Sequence, residues 1–194
     1  MWYVSENLQC NYYRVYKCAS SFIVHNLKFL PGTKKIYPFS FTFIRNPISR
    51  VESFIYMKCR DGGWEKRIKQ SKILITKIIQ NFDDGDVHSV PFSLNLPIKE
   101  LNFIGTLENF DNDLAKLSSL LPKNIDKEKF IFNDVDLPKN SYTKTLHLSD
   151  RTKYDNDVSR FIKELVYKHD DILKEIYKND IEIYQKIKKQ LTIE

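Results

Sequence analysis

Glycine, cysteine and long apolar runs are all scarce in this 194-residue chain, and each scarcity excludes a class of protein. With five glycines the chain has no Gly-x-x-x-x-Gly-Lys-Ser/Thr loop, so it is not a Walker A nucleotide-binding protein. Cys10, Cys18 and Cys59 are odd in number and have no paired spacing, which argues against a disulfide framework and against a Cys-x-x-Cys metal site. No His/Cys cluster suggests a metal. The acidic run Asp83-Asp84-Gly85-Asp86 has neither the spacing nor the closing glutamate of a calcium loop and reads as a helix-ending turn. No apolar stretch approaches the roughly 18 to 20 residues needed to cross a bilayer. The start, Met1-Trp-Tyr-Val-Ser-Glu-Asn, lacks the basic region and apolar core of a signal peptide. No integral membrane segment is expected.

What remains is an ordinary globular composition. Hydrophobic residues at 42% and charged ones at 29% suffice for one domain, 1–194, with a real core. The formal charge of +6 suits a polyanionic ligand, although a lysine-rich solvated surface accounts for it equally well. No nucleic-acid recognition motif accompanies it, so no nucleic-acid partner is expected.

Two segments carry chemistry. Phe41-Thr-Phe-Ile-Arg45-Asn-Pro47 reads as a buried strand that ends on an arginine and turns at a proline into a helix bearing Arg50 and Ser53. Upstream, Tyr13-Arg14-Val15-Tyr16-Lys17-Cys18-Ala19-Ser20-Ser21 is a second strand that runs through small residues into a helix. Strand ends leading into helix starts are where α/β proteins hold anions. Arg45 offers a planar fork for phosphate oxygens, and Lys17 a mobile point charge. Each segment alone also fits a surface salt bridge or an exposed lysine before a helix. Two such units in succession suggest a ligand with two separated phosphate groups.

These residues resemble the sulfotransferases that use 3′-phosphoadenosine 5′-phosphosulfate (PAPS), closest to the carbohydrate branch. Lys17, Ser20 and Ser21 match that family's Lys-x-x-x-Ser/Thr loop for the 5′-phosphosulfate. Arg45, Asn46, Pro47, Arg50 and Ser53 match its Arg-Asn/Asp-Pro-x-x-Arg-x-x-Ser segment for the 3′-phosphate. His88-Ser-Val-Pro91 is similar to its His-x-x-Pro stretch, and Phe103-Ile-Gly105-Thr-Leu-Glu108-Asn109 to its Phe-Ile-Gly-x-x-Glu-Asn passage. Tyr177-Lys-Asn-Asp180 is similar to a closing Tyr-x-x-Asp helix.

The resemblance implies sulfuryl transfer from PAPS, without a metal, to a hydroxyl of a glycan or glycan-like acceptor. The cofactor-binding residues would be Lys17, Ala19, Ser20, Ser21, Arg45, Arg50 and Ser53, with Arg50 open between the cofactor and a neighbouring carboxylate. Lys17 would also be catalytic at the leaving group. The general base falls first to His88, then His25, then Glu52. A loop from His147 to Lys153 would close over the cofactor or simply connect helices. Animal relatives usually carry a membrane anchor, so its absence leads us to expect a cytoplasmic, microbial enzyme. The chain departs from the family in having Tyr16 where a proline usually precedes the lysine. The Lys17–Arg45 interval is also short, with no acidic residue and only His25 as a candidate base. The alternatives are a nucleotide-dependent kinase and a degenerate, non-catalytic nucleotide-binding module.

The expected architecture is α/β: a P-loop-like, three-layer fold with a small parallel sheet flanked by helices. Strands are expected at 12–16, 39–44 and 101–105, with a short one at 129–132. The first helix is expected to carry Phe22, Ile23, Leu27 and Leu30 on one face, with Pro31-Gly32 as the turn beyond it. Further helices are expected at 47–58, 64–82 and 108–121, and from Asn156 nearly to the end with a break near Lys168.

Overall fold

A computed structural model describes residues 1–32, 36–59, 61–80, 88–121 and 153–193. In chain order its main elements are β1 (Trp2–Ser5), β2 (Cys10–Tyr13), α1 (Ser20–Asn26), β3 (Leu30–Gly32), β4 (Phe39–Ile44), α2 (Pro47–Lys58), α3 (Trp64–Gln80), β5 (Phe103–Thr106), α4 (Phe110–Leu120), α5 (Lys153–Lys168), α6 (Asp170–Ile176) and α7 (Lys178–Ile193). They fall into two compact units, each discontinuous in sequence. The first holds Met1–Arg45, Asn95–His147 and Ile187–Glu194, and the second Asn46–Leu94 and Leu148–Lys186.

The first unit is built on a five-stranded mixed sheet flanked by helices, with strand order β3-β1-β2-β4-β5. β2, β4 and β5 run parallel, while β1 is antiparallel to both β2 and β3. Phe41 and Phe43 of β4 pack with Tyr12 and Phe103 from the neighbouring strands, with Phe22 and Ile23 of α1, and with Leu114 and Leu117 of α4. An aromatic strand buried on both faces reads as a near-continuous apolar run, which is why β4 was visible in the sequence.

The sheet is mixed rather than wholly parallel, and the sequence reading misses two of its strands. α1 ends early, and Lys28 adopts a left-handed conformation (φ 51°) that reverses the chain. Leu30-Pro31-Gly32 therefore pairs with β1 instead of forming a helix end and turn. Pro31 is tolerated because β3 is an edge strand and a missing N–H costs nothing on the open side.

Two buried devices hold the parallel strands. A Cβ on Gly105 would run into the ring of Phe43, its cross-strand partner, so this strand position admits no side chain. The Asp113 carboxylate, 2% exposed, accepts from the Thr106 amide (2.6 Å) and hydroxyl (2.9 Å) and from Asn109 Nδ2 (2.8 Å). It ties the end of β5 to the first turn of α4.

The second unit is helical. Pro47 begins α2, where its lacking N–H is harmless, and the Asn46 side chain caps it by accepting from the amides of Ile48 (3.0 Å) and Ser49 (3.3 Å). Val51 and Ile55 of α2, Ile75 and Ile78 of α3, and Val158, Ile162 and Val166 of α5 recur at three- and four-residue spacing and form one core. The break before α6 falls at His169, as the sequence suggested. The strand expected at 129–132, the acidic turn at Asp83–Asp86 and the loop carrying His147 lie outside the described residues. Among the described residues no helix is long and apolar enough to cross a membrane.

Candidate functional site

In the first unit the parallel register aligns Tyr12, Phe41 and Phe103, so the connections leaving β2, β4 and β5 emerge on one edge of the sheet. In α/β proteins this carboxyl edge is where ligands bind. The first of these connections is the Lys17 loop. Lys17 (φ 66°) and Ala19 (φ 57°) are both left-handed, a conformation that costs a non-glycine residue about 1 kcal/mol or more. Ala19 occupies the cap position of α1 and supplies no side-chain acceptor. Ser20 is buried, and Lys17 and Ser21 are half-buried.

Cys18, within the loop, and Tyr12, in β2, are both fully buried. Burial raises the Tyr12 pKa well above the ordinary value, and Cys18 adds to this; Arg14 and the Val15 amide work in the opposite direction.

The second connection begins at Arg45, immediately after β4. Arg45 is half-buried, and among the described residues no hydrogen bond, ion pair or ring contact engages it. A half-buried guanidinium left without an acceptor is unusual, because charged groups withdrawn from water ordinarily find partners.

His25 lies in the last turn of the seven-residue α1 and is exposed. It stands four residues, about one helical turn, past Ser21.

In the second unit Arg50 takes the second of the two roles left open for it. It is 2% exposed, lies 3.6 Å from the Asp180 carboxylate, and donates to the carbonyls of His88 (3.2 Å) and Val90. Asp180 also accepts from the amides of Phe92 (2.9 Å) and Ser93 (2.8 Å), and the Tyr177 hydroxyl donates to the Ser89 carbonyl (2.5 Å). Three buried side chains thus grip the backbone of the segment that carries His88. The His88 residue is half-buried, and Ser53 is half-buried on α2. Glu52 is likewise half-buried on that helix.

Sequence reasoning missed the grip of Tyr177 and Asp180, although their three-residue spacing puts them on one helical face. It also missed Asp113. Among the described residues no group of three His, Cys, Asp or Glu side chains could hold a metal ion. Comparison with protein-family models, curated proteins and solved structures found no match.

Proposed function

We propose that this chain is a PAPS-dependent sulfotransferase with a P-loop-like nucleotide site, acting on a hydroxyl of a carbohydrate acceptor. The observation that carries the reading is Arg45: a half-buried guanidinium without a partner among the described residues, on the same sheet edge as the Lys17 loop. An unsatisfied cation on that edge is what a dianionic 3′-phosphate would neutralise.

The 5′-phosphosulfate would lie at the Lys17–Ser21 segment. Sulfuryl transfer is an in-line displacement in which charge builds on the leaving oxygen. Lys17 would stabilise that charge, with backbone amides and the Ser20 and Ser21 hydroxyls around it. The roles that the resemblance implies for Ser53, as a further 3′-phosphate donor, and for His88, as the general base, are part of the same proposal. Arg50 is assigned a structural role instead, since its guanidinium is buried against Asp180. A cytoplasmic, microbial setting remains an inference from the family resemblance.

Calorimetric titration with adenosine 3′,5′-bisphosphate, AMP and ATP tests the reading. The bisphosphate should bind at least tenfold more tightly than AMP, because only it brings a 3′-phosphate to Arg45. Equal affinities would overturn the role of Arg45 and with it the PAPS reading. Tight binding of ATP alone would favour the kinase alternative. Selective bisphosphate binding without transfer from PAPS to any glycan in an acceptor panel would favour the non-catalytic module.

A further inference from the structure

Arg14 stands just past the end of β2, three residues before Lys17, and no part of the family resemblance includes it. Its Nη1 donates to the Tyr3 hydroxyl at 2.6 Å, and its guanidinium lies 4.6 Å from the centre of the Tyr16 ring and 5.5 Å from that of Tyr3. Its backbone amide donates to the Met1 carbonyl at 2.9 Å. The side chain is half-buried and Nε is wholly so, with no hydrogen-bond acceptor in reach. Among the described residues no carboxylate pairs with it. The two aromatic faces favour a cation but do not neutralise it, since cation–π attraction supplies no acceptor oxygen.

A stacked, anchored guanidinium has already lost most of its rotamer freedom. It can therefore take an oxyanion with little further ordering cost. It also shares the carboxyl edge of the sheet with Lys17 and Arg45, so three cations are gathered there by two strand ends. We propose that Arg14 is a further anion-binding residue of this site, contacting the same 5′ anionic group as Lys17 from the opposite end of the loop. The inference rests on the nucleotide reading for the identity of the ligand but not for the presence of an anion.

The test is calorimetry on the full chain with two probes, inorganic pyrophosphate and adenosine 3′,5′-bisphosphate, at low salt. Arg14→Gln should weaken both probes about ten- to a hundredfold, as loss of a charge-assisted contact implies. Arg14→Lys should recover only part of that, because an ammonium lacks the planar fork. Tyr3→Phe keeps the charge and removes only its anchor, and should weaken both probes about two- to fivefold. Melting curves of each variant separate lost binding from lost fold, and Tyr3→Phe with Arg14→Lys keeps the question open to refutation should Arg14→Gln fail to fold. Unchanged affinity for both probes in the folded variants would overturn the role of Arg14 while leaving the nucleotide reading intact. Pyrophosphate binding that depends on Arg14, in a chain with no preference for the bisphosphate, would uphold Arg14 and sink the nucleotide reading. A wild-type chain that binds neither probe would sink both.

Discussion

Arg45 and Arg50 are five residues apart in one motif, yet their surroundings are opposite. Arg45 follows β4 of the first unit, half-buried and, among the described residues, unengaged. Arg50 lies in the core of the second unit against a carboxylate and two carbonyls. Burying a guanidinium costs several kcal/mol unless acceptors replace its water. Arg50 has those acceptors and is fixed by them. Arg45 retains its capacity for a partner from outside. Two arginines matched by one sequence pattern therefore differ in kind: one is fixed in a buried cluster, and the other has no partner among the described residues.

The sharpest way to break this comparison is to remove one side of the buried pair. Asp180→Ala leaves Arg50 charged in a dry site and the Phe92 and Ser93 amides without an acceptor, so unfolding free energy should fall by about 3 to 5 kcal/mol. Urea denaturation measures it, and a loss below about 1 kcal/mol would mean that water reaches the pair. Arg45→Ala should do the reverse: stability within about 0.5 kcal/mol of the parent, but affinity for adenosine 3′,5′-bisphosphate lower by about 1.5 to 3 kcal/mol. A variant that loses stability and keeps affinity would reverse the assignment of the two arginines.

The first unit also has a titration signature. Burial pushes the Cys10 thiol up to about 12 from the ordinary 9.0, and the Tyr12 phenol is raised in the same direction by burial first. An unfolded chain releases these protons near their ordinary values while the folded chain keeps them. Their stabilising contribution is therefore complete below about pH 9 and is lost as pH rises toward 12. Denaturation at pH 8 and pH 10 should differ by roughly 1 to 2 kcal/mol, and Cys10→Ala should flatten the fall. An unchanged slope in that variant would show that Cys10 is more hydrated than its burial implies. The smallest effect belongs to Tyr177→Phe, which deletes one hydrogen bond to the Ser89 carbonyl and keeps the ring. About 1 kcal/mol of stability should go, with faster amide exchange in residues 88–93. Exchange unaltered there would mean that Arg50 and Asp180 hold the segment by themselves.

How much of this was legible beforehand depends on sequence distance. β4 and α2 were located correctly because the aromatic run, the Asn46 cap and Pro47 are neighbours and each signals the same boundary. β1 and β3 escaped because four- and three-residue strands have too little pattern to distinguish, and Pro31 argues locally for a turn. β2 was expected three residues late at its end, since Tyr13 to Tyr16 still alternates in strand fashion after pairing stops at Tyr13. That Lys17 and Arg45 each follow a strand could be read from their own loops. The grip on the His88 segment could not, because Arg50 and Asp180 meet only through tertiary packing and neither carries a local mark of burial. The left-handed backbone at Lys17 and Ala19 was equally hidden, as no glycine announces it.

The pairing of β4 with β5 has a consequence for how the chain is made. Ser40 and Asn102, which bond to each other beside this ladder, are 62 residues apart, so the parallel core needs a long loop to close before it gains anything. Until residue 106 has left the ribosome, Phe39–Ile44 presents an apolar strand with one vacant edge. Nascent chains at that stage are exposed to intermolecular strand pairing. Synthesis of this protein should therefore be most dependent on chaperones, and most sensitive to pausing, while the ribosome is translating the helices between those two strands.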